Sequence, residues 1–140
     1  MKQIGVGLLG FGTVGTGAVE GLQRNRKVMA QRLGVDVVLK RIADIDIATD
    51  RGVDVGQSVL TLDAMSVIGD PEIHIVVELI GGTGIAKTFV LAALNAGKSV
   101  VTANKKLLAE CGDEIFGAAE RNSVDIYFGA SVGGGIPIIR

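Results

Sequence analysis

The sequence predicts an α/β fold in which a doubly wound parallel sheet carries helices on both faces. Short apolar segments alternate with segments of helical periodicity, and glycine-rich turns follow several of the apolar segments. Such alternation is typical of parallel strands joined by crossover helices. With 140 residues, 48% of them hydrophobic, the chain is long enough for one such domain with a buried core.

Five strands and four helices are predicted in order. The strands are predicted at 4–9, 35–43, 73–80, 99–101 and 125–128. The helices are predicted at 13–33, 61–68, 85–96 and from about 105 to 122, with a polar loop at 48–58. Gly34 and Gly97 are predicted to end the first and third helices. The usual strand order 3-2-1-4-5 would place the carboxyl ends of the first and fourth strands on either side of a crevice.

The motif Gly-x-Gly-x-x-Gly, formed by Gly10, Gly12 and Gly15, lies between the first predicted strand and the first predicted helix. In this setting the first glycine permits a tight turn, the second permits close approach of a pyrophosphate, and the third permits close helix packing. The free N–H groups at the start of the helix favour an anion. The motif therefore predicts a dinucleotide site in a Rossmann-type sheet. The alternative, a plain strand–helix turn, stays open because the chain contains 21 glycines.

Asp44, at the end of the second predicted strand, lies where a carboxylate would accept hydrogen bonds from the adenosine ribose of a dinucleotide. A carboxylate at this position also repels a 2′-phosphate. Arg41 and Arg51 lie nearby in the sequence, and either could hold a 2′-phosphate instead or be a solvated surface charge. The sequence therefore leaves the choice between NAD and NADP open.

Two further turns follow strands at the same edge of the predicted sheet. Gly81 to Gly84 follows the third predicted strand, and Thr102 to Lys105 follows the fourth. Because the carboxyl ends of parallel strands share one edge, both turns should converge there with the first glycine turn.

The composition argues against several other classes of protein. The charge is balanced at 14 basic and 15 acidic residues, and only 4% of residues are aromatic, so we expect no nucleic-acid partner. No apolar run is long enough to span a membrane, and the amino terminus has no room for a signal peptide. The single cysteine, Cys111, excludes an internal disulfide and fits a cytoplasmic protein. His74, the only histidine, is interpreted as a polar residue at a strand end rather than a ligand.

Three longer motifs carry a resemblance to a known family. They are Glu78-Leu79-Ile80-Gly81-Gly82, the stretch from Gly97 to Lys105 that ends in Thr-Ala-Asn-Lys, and the stretch from Ala130 to Ile138. From the first strand to the last residue, the chain resembles homoserine dehydrogenase. The resemblance implies interconversion of homoserine and aspartate semialdehyde with NAD(P)H, on the route to threonine, methionine and isoleucine. It also implies a homo-oligomeric full-length enzyme whose subunit contacts lie largely outside this segment.

The resemblance also implies roles for individual residues. Phe11, Gly12, Thr13 and Val14 match the family's cofactor-binding turn, and Gly82 and Thr83 match positions that line the nicotinamide half of the site. Lys105 matches a lysine between nicotinamide and substrate, where a cation can stabilise the negative charge that grows on the semialdehyde oxygen. From the residues alone, Lys105 could equally be a solvated lysine at a helix start, although the helix dipole disfavours a cation there.

The family further binds a monovalent cation such as Na⁺ through backbone carbonyls of the last motif. This implied site carries over to Gly129, Val132, Gly134 and Ile136. The sequence departs from the family at Gly129, where many members have glutamate. A flexible glycine turn without an ion is the alternative interpretation.

The family's substrate-binding and catalytic domain follows the Gly-Ile-Pro motif, whereas this sequence stops at Arg140. We therefore expect residues 1–140 to be one NAD(P)-binding domain that lacks the catalytic part and is inactive alone.

Three other classes remain as alternatives. A semialdehyde or glyceraldehyde phosphate dehydrogenase would need a nucleophilic cysteine with a histidine base, and Cys111 has no plausible partner except His74. A non-catalytic nucleotide-sensing module would share the fold but would not need Lys105. An S-adenosylmethionine methyltransferase would explain neither Lys105 nor the glycine-rich carboxyl terminus.

Overall fold

The computed structural model describes residues 2–48, 52, 55–56, 59–80 and 83–128. Within these residues the chain forms six strands and four helices. The strands are β1 (Lys2–Leu9), β2 (Val35–Ala43), β3 (Leu60–Thr61), β4 (Ile75–Glu78), β5 (Ser99–Thr102) and β6 (Ile126–Phe128). The helices are α1 (Thr13–Leu33), α2 (Ala64–Ile68), α3 (Gly84–Asn95) and α4 (Lys105–Arg121).

The strands form one parallel sheet in the order β3-β2-β1-β4-β5-β6, which confirms the doubly wound α/β fold. Two apolar clusters cover its faces. Leu8, Val77 and Val101 pack with α1 on one face, and the neighbouring residues Leu9, Val76 and Val100 pack with α2, α3 and α4 on the other. Because successive strand residues point to opposite faces, strands buried on both faces are almost continuously apolar, as the sequence indicated.

Most predicted element bounds are confirmed. The ranges 13–33 and 35–43 agree with the structure, and Gly34 and Gly97 adopt φ values of 70° and 80° after the ends of α1 and α3. Helix α2 is shorter than predicted, because Asp63 accepts hydrogen bonds from the N–H groups of Met65 and Ser66 and so fixes the helix start after residue 63.

The predicted strand order, 3-2-1-4-5, was wrong. With the five predicted strands numbered along the chain, this order placed the strand at 99–101 beside the first strand and the strand at 73–80 at the edge, beside the second. In the structure β4 pairs with β1, with Leu9 opposite Glu78, and β5 lies one strand further out. The place beside β2 belongs to Leu60–Thr61, a two-residue strand. The sequence pattern left Leu60 unassigned and placed Thr61 in a helix. The crevice therefore opens between β1 and β4.

Two polar side chains stabilise the amino-terminal edge of the sheet, away from the crevice. His74 Nδ1 accepts a hydrogen bond from the Gly5 N–H at 2.9 Å, which supports its interpretation as a polar residue at a strand end. Lys98 is buried, and its Nζ donates to the Asp70 carbonyl at 2.6 Å. Burial lowers the pKa of the Lys98 ammonium, while the Asp70 carboxylate acts in the opposite direction. These contacts join β1, β4 and β5 to the preceding loops.

In the described part of the chain, no helix combines the length and the apolar character needed to cross a bilayer.

An ion pair fastens α1 to β2. The Arg26 guanidinium donates to both carboxylate oxygens of Asp36, at 2.7 and 2.8 Å, and holds the pKa of that carboxyl below its usual value. A carboxyl whose pKa is lowered by folding stabilises the fold above its unfolded pKa, and that contribution is lost as the pH falls through the folded pKa.

We expect Asp36→Asn to lower the melting temperature at neutral pH, because the bidentate pair with Arg26 is lost. The difference from wild type should shrink towards strongly acidic pH, where the wild-type carboxyl is also protonated. Circular dichroism melts across the acid range measure this. Glu20→Gln, which removes a looser and more exposed pair with Arg24, is the control and should give no such pH-dependent difference. A constant difference at every pH would contradict the prediction.

Candidate functional site

The glycine turn after β1 is held by backbone contacts on both sides. The Gly10 N–H donates to the Ala43 carbonyl at 2.8 Å, and the Leu79 N–H donates to the Leu9 carbonyl at 2.8 Å. Gly10 adopts φ = 104°, and a Cβ there would lie 3.0 Å from the Leu79 backbone. The turn therefore needs glycine at residue 10 both for its conformation and for space.

Gly12 and Gly15 serve different purposes in this turn. A Cβ on Gly15 would lie 2.5 Å from the Gly10 carbonyl oxygen, so the third glycine allows α1 to pack on the turn. A Cβ on Gly12 would meet nothing within 4 Å. The space in front of Gly12 is thus open at the start of α1, where the first N–H groups have no intrahelical acceptor and attract an anion. This is the arrangement that a pyrophosphate requires.

Asp44, which follows the end of β2, is hydrogen-bonded to the glycine turn, a contact not predicted from the sequence. Its Oδ1 accepts from the Phe11 N–H at 3.2 Å, and its Oδ2 accepts from the Asp46 N–H at 3.2 Å. Its own N–H donates to the Thr61 carbonyl at 3.1 Å. The carboxylate is thereby fixed beside the turn, and a carboxylate is the kind of acceptor that binds hydroxyl groups.

A cavity of about 550 Å³ opens in front of this turn. Gly10, Phe11, Gly12 and Asp44 line one part of it. The rest is mainly apolar and is contributed by Ile45, Leu62, Met65, Ile80, Ile85 and Phe89. Several of these side chains are strongly exposed, with Ile45 96% and Leu62 67% accessible. An apolar cavity beside a carboxylate and an anion-binding turn suits the adenosine half of a dinucleotide.

A second cavity of about 370 Å³ lies on the other side of the start of α1. It is lined by Val14, Glu78, Leu79, Ala103, Asn104 and Lys105. Lys105 is the first residue of α4 and is exposed, and the Asn104 side chain caps that helix by accepting from the Leu107 N–H at 3.0 Å. The predicted convergence of the first glycine turn with the Thr102–Lys105 turn is therefore confirmed. Of the third turn, the structure describes Thr83, which precedes α3, and Gly84, its first residue.

Sequence reasoning assigned no role to a buried polar pair at this edge. Glu78 and Thr102 lie opposite each other on β4 and β5, and both are 0% exposed. Thr102 Oγ1 lies 2.7 Å from Glu78 Oε1, and the Ile80 N–H donates to Glu78 Oε2 at 2.8 Å. The available signal was a carboxylic acid at the end of an otherwise apolar strand, since such a group is rarely buried without a specific partner.

The structure does not bring Arg41 into the lining of either cavity described above. Arg41 pairs with Gly7 within the sheet, and its buried Nε has no hydrogen-bond partner among the described residues. Its proposed role with a 2′-phosphate stays a prediction. The side chain of Thr13 lies outside the described part of the structure. So do the remaining predicted residues, which are Arg51, Gly82, Gly129, Val132, Gly134 and Ile136.

Among the described residues, no cluster of three or more histidine, cysteine, aspartate or glutamate side chains could hold a metal ion. Cys111 is a free, half-buried thiol on α4 that packs against the core.

A parallel sheet whose carboxyl edge joins an anion-binding glycine turn, a fixed carboxylate and an apolar cavity defines a Rossmann-type dinucleotide-binding domain. Comparison with known proteins narrows this class. Residues 10–129 match the family model "Homoserine dehydrogenase, NAD binding domain". The chain belongs to this family of NAD(P)-binding domains.

Relatives and solved structures agree with this assignment. The chain is 45% identical to the homoserine dehydrogenase of Bacillus subtilis over 140 residues, which is 100% of this chain and 32% of that relative. It is 44% identical to the homoserine dehydrogenase of Neisseria gonorrhoeae over the same length. The S. aureus homoserine dehydrogenase crystal structure at pH 8.5 superposes with a TM-score of 0.87 and 37% identity, covering 94% of this chain and 33% of that one. The chain thus spans about a third of the length of these relatives.

Substituting Gly12 and Gly15 by alanine should separate binding from stability. We expect Gly12→Ala to lower the free energy of unfolding by no more than about 1 kcal/mol, because alanine is a poorer N-cap for α1 than glycine. The same change should weaken NAD(H) binding at least about tenfold, since the added methyl group occupies the space open to a pyrophosphate. Gly15→Ala should lower the unfolding free energy by about 1–3 kcal/mol, because the new Cβ meets the Gly10 carbonyl. Urea unfolding and calorimetric titration measure the two effects. Unaltered binding in Gly12→Ala would show that no ligand approaches this backbone.

Proposed function

We propose that this chain is the cofactor-binding domain of a homoserine dehydrogenase, an enzyme that interconverts homoserine and aspartate semialdehyde with a nicotinamide cofactor. The observation that carries the proposal is the grouping of the Gly12 turn, Asp44 and Lys105 along one edge of the sheet. The family match and the identity to whole enzymes over the full length of this chain support it. The small-molecule substrate and the biosynthetic route to threonine, methionine and isoleucine are part of the same proposal.

The two cavities suggest how the domain would hold the cofactor. The turn at Gly12 would bind the pyrophosphate, Asp44 the adenosine ribose, and the larger apolar cavity the adenine. The smaller cavity would receive the nicotinamide, with Val14, 59% exposed, as an apolar surface at one side. When bound, the cofactor supplies or accepts the hydride.

Lys105 would act on the substrate oxygen. Its ammonium group begins α4 at the rim of the smaller cavity and is exposed, so it can reach a molecule lying outside the sheet edge. A cation here would hold the semialdehyde oxygen and stabilise the negative charge that develops on it. This placement also favours an enzyme over a purely nucleotide-sensing module, which would not need a cation beside the nicotinamide.

We further propose that the domain prefers NAD(H) to NADP(H). The Asp44 carboxylate lines the larger cavity, whereas Arg41 is absent from that lining. Two hydrogen bonds from backbone N–H groups hold Asp44 in place, so it cannot easily turn away from a 2′-phosphate. A fixed carboxylate at the ribose repels the additional phosphate.

Calorimetric titration with NAD⁺ and NADP⁺ at matched salt tests this preference. We expect the wild-type chain to bind NAD⁺ more tightly than NADP⁺. In Asp44→Asn the ratio of the two affinities should fall at least about tenfold, because the repulsive charge is removed while one acceptor oxygen remains for the Phe11 N–H. Arg41→Gln is the matched control and should leave the discrimination unchanged. Tighter binding of NADP⁺ by wild type, lost in Arg41→Gln, would contradict the proposal and assign the 2′-phosphate to Arg41.

The isolated 140-residue chain should bind cofactor but oxidise homoserine very slowly. Most of the rate of such a reaction comes from holding the substrate against the cofactor, and we propose that this task belongs to the part of the enzyme beyond this domain. We expect turnover to be reduced more than about 10³-fold relative to a complete homoserine dehydrogenase. Absorbance of newly formed NADH measures it, with cofactor titration of the same sample as the control. Turnover close to that of a complete enzyme would refute the proposal that substrate is held by a part of the enzyme beyond this domain.

The monovalent cation implied by the resemblance stays a prediction, since its four residues lie outside the described part of the chain.

A further inference from the structure

We propose that Glu78 is a positioning residue that holds the turn carrying Lys105 in place through Thr102. The inference rests on the proposed function, because it assumes that the nicotinamide occupies the smaller cavity. Glu78 contributes to the lining of that cavity together with Asn104 and Lys105, yet its side chain is 0% exposed. It therefore acts from beneath the site rather than from within it.

The hydrogen bonds around Glu78 have a defined direction. The Asn104 N–H donates to Thr102 Oγ1 at 3.0 Å, so the threonine hydroxyl directs its own proton towards Glu78 Oε1, 2.7 Å away. The other oxygen, Oε2, accepts from the Ile80 N–H at 2.8 Å. Both oxygens of Glu78 are thus acceptors, which is the arrangement that a carboxylate satisfies and a carboxamide cannot.

These bonds reach Lys105 in two steps. Thr102 fixes the backbone of Asn104, and the Asn104 side chain caps α4 by accepting from the Leu107 N–H. Lys105 is the first residue of that helix, directly after the cap. On the other side, the bond to Ile80 fixes the chain as it leaves β4 towards the glycine turn. One buried carboxylate therefore bonds to two turns: directly to Ile80, which lines the larger cavity, and through Thr102 to Asn104, which lines the smaller one.

The sheet itself does not require this group. A buried carboxyl is costly unless its oxygens are fully bonded, and apolar residues of β4 and β5 form the rest of this pairing. An apolar pair at residues 78 and 102 would complete the core but would leave the N–H groups of Ile80 and Asn104 without these acceptors. The carboxylate thus serves the geometry of the two turns.

The test compares the affinity of the 140-residue chain for NAD⁺ with its affinity for ADP-ribose, which lacks the nicotinamide. The ratio of the two affinities reports the nicotinamide side alone. We expect Glu78→Gln and Thr102→Val to lower this ratio about tenfold. Thr102→Val leaves the bond between Glu78 and Ile80 in place, so its affinity for ADP-ribose should stay within about twofold of wild type. Thr102→Ser keeps the hydroxyl and should restore the ratio. Glu78→Gln keeps the shape of the side chain but has only one acceptor oxygen. Its amide NH₂ group must therefore face one of the two donors, the Thr102 hydroxyl or the Ile80 N–H.

Val76→Ala is the control for a merely structural role. Val76 lies on β4 two residues before Glu78 and therefore on the same face of the sheet, is fully buried, and belongs to the core cluster that packs with α2, α3 and α4. It should lower the melting temperature without altering the affinity ratio. If Glu78→Gln shows no cooperative thermal transition and so does not fold, the affinity ratio of Thr102→Val tests the positioning role instead, because this variant keeps the side-chain volume.

The outcomes separate the two proposals. If wild type binds NAD⁺ more tightly than ADP-ribose and neither variant changes the ratio, the positioning role is refuted and the proposed function stands. Equal losses for both ligands would likewise reduce Glu78 to a structural role. Equal affinity of wild type for both ligands would refute the inference, since no nicotinamide contact would exist to be positioned. Binding of neither ligand by the folded wild-type chain would overturn the proposed function and the inference together.

Discussion

The close packing of α1 against the end of β1 is the contact on which the rest of the site depends. Gly15 allows it, since a Cβ there would meet the Gly10 carbonyl, and Gly10 allows the same turn to lie against the Leu79 backbone after β4. The contact directs the amino-terminal end of α1 at the crevice between β1 and β4, where both cavities begin. It also leaves the Phe11 N–H where Asp44 can accept from it, so the turn is joined to β2 as well. The proposed sites for the pyrophosphate and the ribose therefore both depend on this one steric constraint.

The polar side chains at the two edges of the sheet lie in different surroundings. At the amino-terminal edge, His74 and Lys98 bond to backbone groups and join neighbouring loops and strands. At the carboxyl edge, Asp44, Glu78 and Asn104 also bond to backbone, but they do so in turns that line open cavities. Both edges therefore have hydrogen bonds between side chains and backbone. At the carboxyl edge the backbone held in this way lines a cavity, whereas at the amino-terminal edge it joins loops and strands. This is why buried polar residues near the crevice merit tests of ligand affinity as well as of stability.

The sequence predicted those features that depend on local chemistry. The range of α1, its glycine cap and the second strand all follow from periodicity or from residues adjacent in the chain. The features that were missed depend on pairing between distant segments. Leu60–Thr61 is too short to show alternation, and it becomes a strand only because β2 lies beside it. Likewise, Glu78 meets Thr102 through strand register, and Ile45, Leu62 and Met65 line one cavity only after three elements assemble.

The two cavities differ in how completely the described residues enclose a ligand. The larger cavity receives side chains from the ends of β1, β2 and β4 and from α2 and α3, so the adenosine half of a cofactor would be held within this domain. The smaller cavity has Val14 and Lys105 at an exposed rim. Hydride transfer to a carbonyl is favoured where water is excluded and the oxygen faces a fixed cation. Under the proposed function, Lys105 would supply the cation, and groups outside the described residues would close the site over it. Cofactor affinity and chemical turnover should therefore respond to different parts of the enzyme.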